Sequence, residues 1–105
     1  MTSDLRRSPR HPFFASAEIT EHETGMRMSG RTSELSRYGC YLDMMNPLSS
    51  KSVVDIQIVH GGQTFQAKGH VVYSQSNVGM GATFDEMSPE HEKILEQWMN
   101  SFQKN

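Results

Sequence analysis

The run Val53-Val54-Asp55-Ile56-Gln57-Ile58-Val59-His60-Gly61-Gly62-Gln63-Thr64-Phe65-Gln66-Ala67-Lys68-Gly69-His70-Val71-Val72-Tyr73 decides the fold. Val54, Ile56 and Ile58 alternate with Asp55, Gln57 and Val59, which is the period of a half-buried strand. Gly61-Gly62 then supplies a tight hairpin turn. On the return strand Phe65, Ala67, Gly69, Val71 and Tyr73 face one way, and Gln66, Lys68, His70 and Ser74 face the other. The same period extends in both directions. Toward the N-terminus, Phe13, Ala15, Ala17 and Ile19 predict a strand over residues 13–22, closed by a turn at His22–Gly25. Met26, Met28, Gly30 and Thr32 carry a second strand toward Leu35. Gly39 breaks the pattern, Cys40, Leu42 and Met44 resume it, and Asn46-Pro47 ends it, because proline cannot donate to a ladder. Toward the C-terminus, Val78, Met80, Ala82 and Phe84 form a sixth strand with Gly79 and Gly81 on its opposite face. Two glycines there fit either bends that close a barrel or a close approach to the backbone.

Past residue 86 the period changes. Ser88-Pro89 reads as an N-cap followed by proline at the first helical position. Ile94, Leu95, Trp98, Met99 and Phe102 fall on one helical face. Six short antiparallel strands and a closing helix predict an all-β protein, a six-stranded antiparallel β-barrel with a C-terminal α-helix over an open side. The chain of 105 residues is one domain in three parts: an arginine-rich, mobile arm over 1–12, the barrel over 13–86 and the helix over 87–105.

The arm carries Arg6, Arg7 and Arg10 in Arg6-Arg7-Ser8-Pro9-Arg10-His11-Pro12. Guanidinium is planar, always charged and able to fork onto phosphate oxygens. Every arginine lies within the first 37 residues, and the remainder uses only lysine. That segregation is hard to explain by solubility, although a solubilising tail is the bland alternative for the arm by itself. The net charge of −2 argues against a nucleic-acid polymer as partner, as does the lack of an aromatic stripe beside the arginines. No apolar run is long enough to span a bilayer. The single cysteine, Cys40, permits no intramolecular disulfide and fits a reducing, cytoplasmic setting.

Catalytic patterns are weak. The five histidines lack metal-ligand spacing, and there is no phosphate loop or nucleophile elbow. His60 and His70 read as surface residues, Cys40 as a buried structural thiol, and the methionines as core packing. The chain is expected to be no enzyme and to need no cofactor or metal. The second informative stretch is Ser33-Glu34-Leu35-Ser36-Arg37-Tyr38-Gly39. The Glu34 carboxylate can accept from the N1–H and N2–H₂ edge of a guanine, Ser36 can donate or accept, and Gly39 can take a positive φ. Alone, this stretch is equally an ordinary polar turn.

Together the two stretches resemble the PilZ domain family, whose signature is RxxxR before the first strand and [D/N]xSxxG between the second and third. Arg6-Arg7-Ser8-Pro9-Arg10 matches the first, and Glu34-Leu35-Ser36-Arg37-Tyr38-Gly39 matches the second with one departure. The resemblance runs from about residue 5 to 102. It implies a bacterial receptor for the second messenger cyclic di-GMP, with Arg6, Arg7 and Arg10 on phosphates and guanines. Glu34 and Ser36 would then contact a guanine edge, and Gly39 would shape the turn. The ordered arm would be read by a downstream protein that the sequence does not identify, with the receptor a monomer or a weak homodimer through groups such as Phe14 or Tyr41. Glu34 stands where the family has Asp or Asn, and its extra methylene moves the carboxylate outward by roughly 1.5 Å. The alternative reading is a degenerate PilZ-like adaptor that binds no nucleotide and acts through protein contacts.

Overall fold

A computed structural model describes residues 9–102. Six antiparallel strands appear in chain order: β1 His11–Glu21, β2 Arg27–Leu35, β3 Gly39–Asp43, β4 Val53–His60, β5 Gln63–Gln75 and β6 Gly79–Glu86. They pair in the order β1-β2-β3-β6-β5-β4, and β4 closes onto β1, so the sheet is a closed barrel. Closure removes every open edge. The helix α1, Pro89–Ser101, therefore does not cover an open side as the sequence predicts; it caps one end. Trp98 lies among Phe13, His60 and Phe65, with ring centroids 5.2, 5.7 and 6.1 Å away. Those three residues sit where β1 begins and where the β4–β5 hairpin turns.

The alternating residues fill the interior as expected. Phe13, Ala15, Ala17 and Ile19 of β1, Val54, Ile56 and Ile58 of β4, and Phe65, Ala67 and Val71 of β5 are all buried. Gly61 and Gly62 adopt φ of 59° and 79°, the left-handed pair that a two-residue hairpin matching the strand twist requires. β1 starts two residues before the predicted Phe13. The methionines divide: Met80 and Met99 are core, whereas Met26 and Met45 are 50% and 67% exposed.

Departures from strict alternation shape the outer surface. The β2–β3 register shifts between Thr32 and Glu34. Without that bulge, continuing inward from Gly30 and Thr32 would bury Glu34. The extra residue instead turns Glu34 outward and Leu35 inward. Buried Thr32 stitches the irregular start of β1, its hydroxyl donating to the Phe13 carbonyl (2.6 Å) and accepting from the Ala15 N–H (3.0 Å). A second bulge, between Val71 and Tyr73 on β5, sends Tyr73 outward against the sequence expectation. Its ring lies over Gly81, where an added Cβ would meet it at 2.5 Å. This is the close backbone approach that the β6 glycines allow. Val78, also expected inside, precedes β6 and is 46% exposed.

At the start of α1 the Ser88 hydroxyl accepts from the His91 N–H at 3.4 Å, with Pro89 in the first turn and Glu90 and Glu92 near the positive end of the helix. The His91 ring Nδ1 accepts from the Gln66 N–H (3.2 Å), and so pairs a β5 donor near the end of the sheet. Given that long cap bond, Ser88→Ala is expected to cost about 0.5–1 kcal/mol, read in thermal melts as a fall of roughly 3–6 °C.

Candidate functional site

Two sequence-distant motifs meet on the outer surface of β2 and β3. Arg10 immediately precedes β1, and the β1–β2 ladder pairs Pro12 with Glu34. This register brings the Arg10 guanidinium to 3.7 Å from the Glu34 carboxylate, with each side chain roughly half exposed. Arg6 and Arg7, the other predicted arm residues, lie outside the described residues. The ladder also pairs Glu34 with Tyr41 of β3. Arg10, Glu34, Cys40, Tyr41 and Tyr73 line one shallow depression.

The turn after Glu34 is built by Ser36 and Gly39. Ser36 is fully buried, and its hydroxyl accepts from the Tyr38 N–H (3.1 Å) and the Gly39 N–H (3.2 Å). The Ser36 N–H returns a bond to the Gly39 carbonyl at 2.9 Å. A serine here ties the turn with its own side chain, as short hydroxyl residues do. Gly39 begins β3 opposite Thr83. It is absent from the positive-φ glycines, which are Gly25, Gly61, Gly62 and Gly79, so the turn reverses without the φ its glycine allows. The Tyr38 carbonyl accepts from the Phe84 N–H (2.7 Å), anchoring the turn to β6.

Sequence reasoning left the two tyrosines out of the site. Tyr41 and Tyr73 stack with centroids 6.0 Å apart, beside Glu34. Partial burial, then the nearby Tyr73, Asp43 and Glu34, raise the Tyr41 phenol above its ordinary value, so it stays neutral and can donate. Tyr41 alternates outward on β3 and was legible as exposed; Tyr73 was hidden by the bulge. Cys40 faces the core, and desolvation pushes its thiol up to about 12, consistent with a structural role.

Among the described residues each of the four arginines faces a carboxylate: besides Arg10, Arg27 pairs with Glu18 (2.9 Å), Arg31 with Asp43 (3.3 Å) and Arg37 with Glu96 (3.1 Å). Arg31 also lies over the exposed Phe14 ring, 5.5 Å from its centroid. His70, on the polar face of β5 as expected, pairs with Asp85 at 2.7 Å. A larger groove, about 530 Å³, runs over the outer face of β1, β4 and β5 and holds none of the predicted residues. Its acids Glu18, Asp55 and Glu86 outnumber Arg27 and Lys68, the wrong polarity for a phosphate ligand. No group of histidine, cysteine and carboxylate among the described residues could hold a metal ion. No described helix is long and apolar enough to cross a membrane.

The fold is shared with solved structures. The PilZ domain of CeSA from a cellulose-synthesizing bacterium superposes with a TM-score of 0.72 at 19% identity, covering 92% of this chain and 100% of that one. The Bacillus subtilis inhibitor of motility, MotI/DgrA, superposes at 0.73 with 15% identity, covering 98% of this chain and 52% of that one, so the chain spans about half its length. No curated protein matches the chain in sequence. The PilZ domain profile, however, matches residues 4–101, which take in the whole barrel and helix with the arginines ahead of them. The chain therefore belongs to the PilZ domain family.

Proposed function

We propose that this protein is a cyclic di-GMP receptor acting in the bacterial cytoplasm. The observation that carries the reading is the meeting of Arg10 and Glu34, one from each signature motif, at 3.7 Å on an accessible barrel surface. A guanidinium and a carboxylate side by side offer complementary recognition of a guanine nucleotide. The guanidinium forks onto a phosphate, and the carboxylate accepts from the N1–H and N2–H₂ edge of the base. Arg6 and Arg7 join the phosphate side by their place in the family motif. Ser36, buried within its turn, serves by holding that turn in shape and leaves base contact to Glu34. Binding orders the arm across the barrel, and a partner protein reads the changed surface.

Calorimetric titration of the purified protein with cyclic di-GMP tests the reading. Saturable heat at micromolar ligand is expected; none would sink it and leave the adaptor that acts through protein contacts alone. Glu34→Asp is expected to bind equally or up to about 5-fold tighter, because one fewer rotor must be ordered, at about 0.5–1 kcal/mol. A clear loss of affinity in the same titration would show that the longer side chain fits its ligand.

A further inference from the structure

Arg37 stands inside the second motif, between Ser36 and Tyr38, yet its guanidinium reaches a different element. Its Nη1 lies 3.1 Å from the Glu96 Oε1 on α1. Both side chains are about half exposed, so the pair contributes little to stability, about 0–1 kcal/mol. The contact joins one guanidinium nitrogen to one carboxylate oxygen, so a ligand phosphate that accepts two parallel bonds offers Arg37 more than it holds on the helix. Arg37 is therefore cheaply held and readily transferred. The arm is attached to the same helix from the other side: His11, next to Arg10, stacks on Phe102, centroids 4.4 Å apart and 11° from parallel. Both segments that frame the site thus touch α1, one by an ion pair and one by a ring stack.

We propose that Arg37 is a further phosphate-binding arginine of the site, held by Glu96 of α1 in the free protein and yielded to the ligand on binding. The proposal rests on the cyclic di-GMP reading and extends it to how occupancy is reported. Glu96 and a phosphate compete for one guanidinium, so the coupling is reciprocal. Whatever affinity Glu96 takes from the ligand, the ligand takes from the docking of α1. The first turn of the helix keeps its Ser88 cap and the His91–Gln66 bond. Loosening is therefore confined to the half beyond Glu96, which carries Trp98 and Met99.

The test titrates full-length wild type, Arg37→Ala, Glu96→Gln and Glu18→Gln with cyclic di-GMP by calorimetry. It follows amide hydrogen exchange over residues 94–102 with and without ligand. Arg37→Ala is expected to weaken binding about 10-fold, the loss of one charge-assisted contact. Glu96→Gln removes the competitor and is expected to tighten binding about 3-fold. Glu18→Gln breaks the comparable pair with Arg27 and leaves the affinity unchanged. Ligand is expected to speed exchange over residues 94–102 in wild type and not in Arg37→Ala. The opposite signs separate this mechanism from simple damage to the fold. Wild-type affinity in Arg37→Ala, or no gain in Glu96→Gln, overturns this proposal while the receptor reading stands. Absence of binding by wild type overturns both.

Discussion

Replacing Arg10 with alanine is expected to weaken cyclic di-GMP binding by about 100-fold while the free protein melts within about 2 °C of wild type. The two halves of that result have separate causes. Arg10 precedes the first ladder residue, its side chain is 42% exposed, and its partner Glu34 is 46% exposed at 3.7 Å. A half-exposed pair at 3.7 Å, too long for a hydrogen bond, contributes about 0–0.5 kcal/mol to folding, because water and salt screen it and two long side chains must be ordered to make it. Toward a phosphate the balance reverses. Two forked, charge-assisted bonds are each worth about 1.5–3 kcal/mol, and tenfold in affinity is 1.4 kcal/mol. Calorimetry and a thermal melt on one preparation check both halves. Unfolding of the free domain would assign Arg10 a structural role instead.

Gly69→Ala is expected to do the reverse, destabilising the barrel by about 3 kcal/mol and lowering the melting temperature by roughly 10–20 °C. Gly69 sits on β5 where the β5–β6 register shifts between Lys68 and Gly69. A Cβ built there would lie 1.8 Å from the Thr83 carbonyl oxygen. The obstacle is backbone, so no side-chain rotation relieves it, and the two strands must separate. Gly25→Ala is the matched comparison. Nothing lies within 4 Å of its added Cβ, and only its φ of +74° resists substitution, a cost of about 1–2 kcal/mol. Urea midpoints that rank Gly69→Ala no worse than Gly25→Ala would contradict the packing argument.

Most of the barrel was legible because burial on one face imposes period two, which β4 keeps throughout and β1 keeps from Phe13 to Ile19. What escaped the sequence lies at irregularities. A bulge adds one residue and inverts every later side chain, and nothing in Val71-Val72-Tyr73 marks which residue is the extra one. Tyr73 was therefore assigned to the core, although its ring rests on Gly81 outside. The bulge before Glu34 acted in the opposite sense: alternation would have buried Glu34, whereas it lies on the outer surface beside Arg10. Ser36 and Gly39 were placed together correctly as a turn. Their bonding was not foreseeable, because a hydroxyl aimed at a ligand and one spent on its own turn look alike in sequence. The Arg37–Glu96 contact was equally invisible, since it needs the helix position that only the closed barrel fixes.

The stack of His11 on Phe102 joins the beginning of β1 to the residue that ends α1. A polypeptide entering at His11 and leaving at Phe102 passes in and out at one place, so any segments flanking these two residues would start side by side. Tension between the flanking segments would load that stack and the last turn of α1 first. The β1–β2 ladder begins at the same residue, His11 pairing with Leu35, and would take up the load as soon as the stack parted.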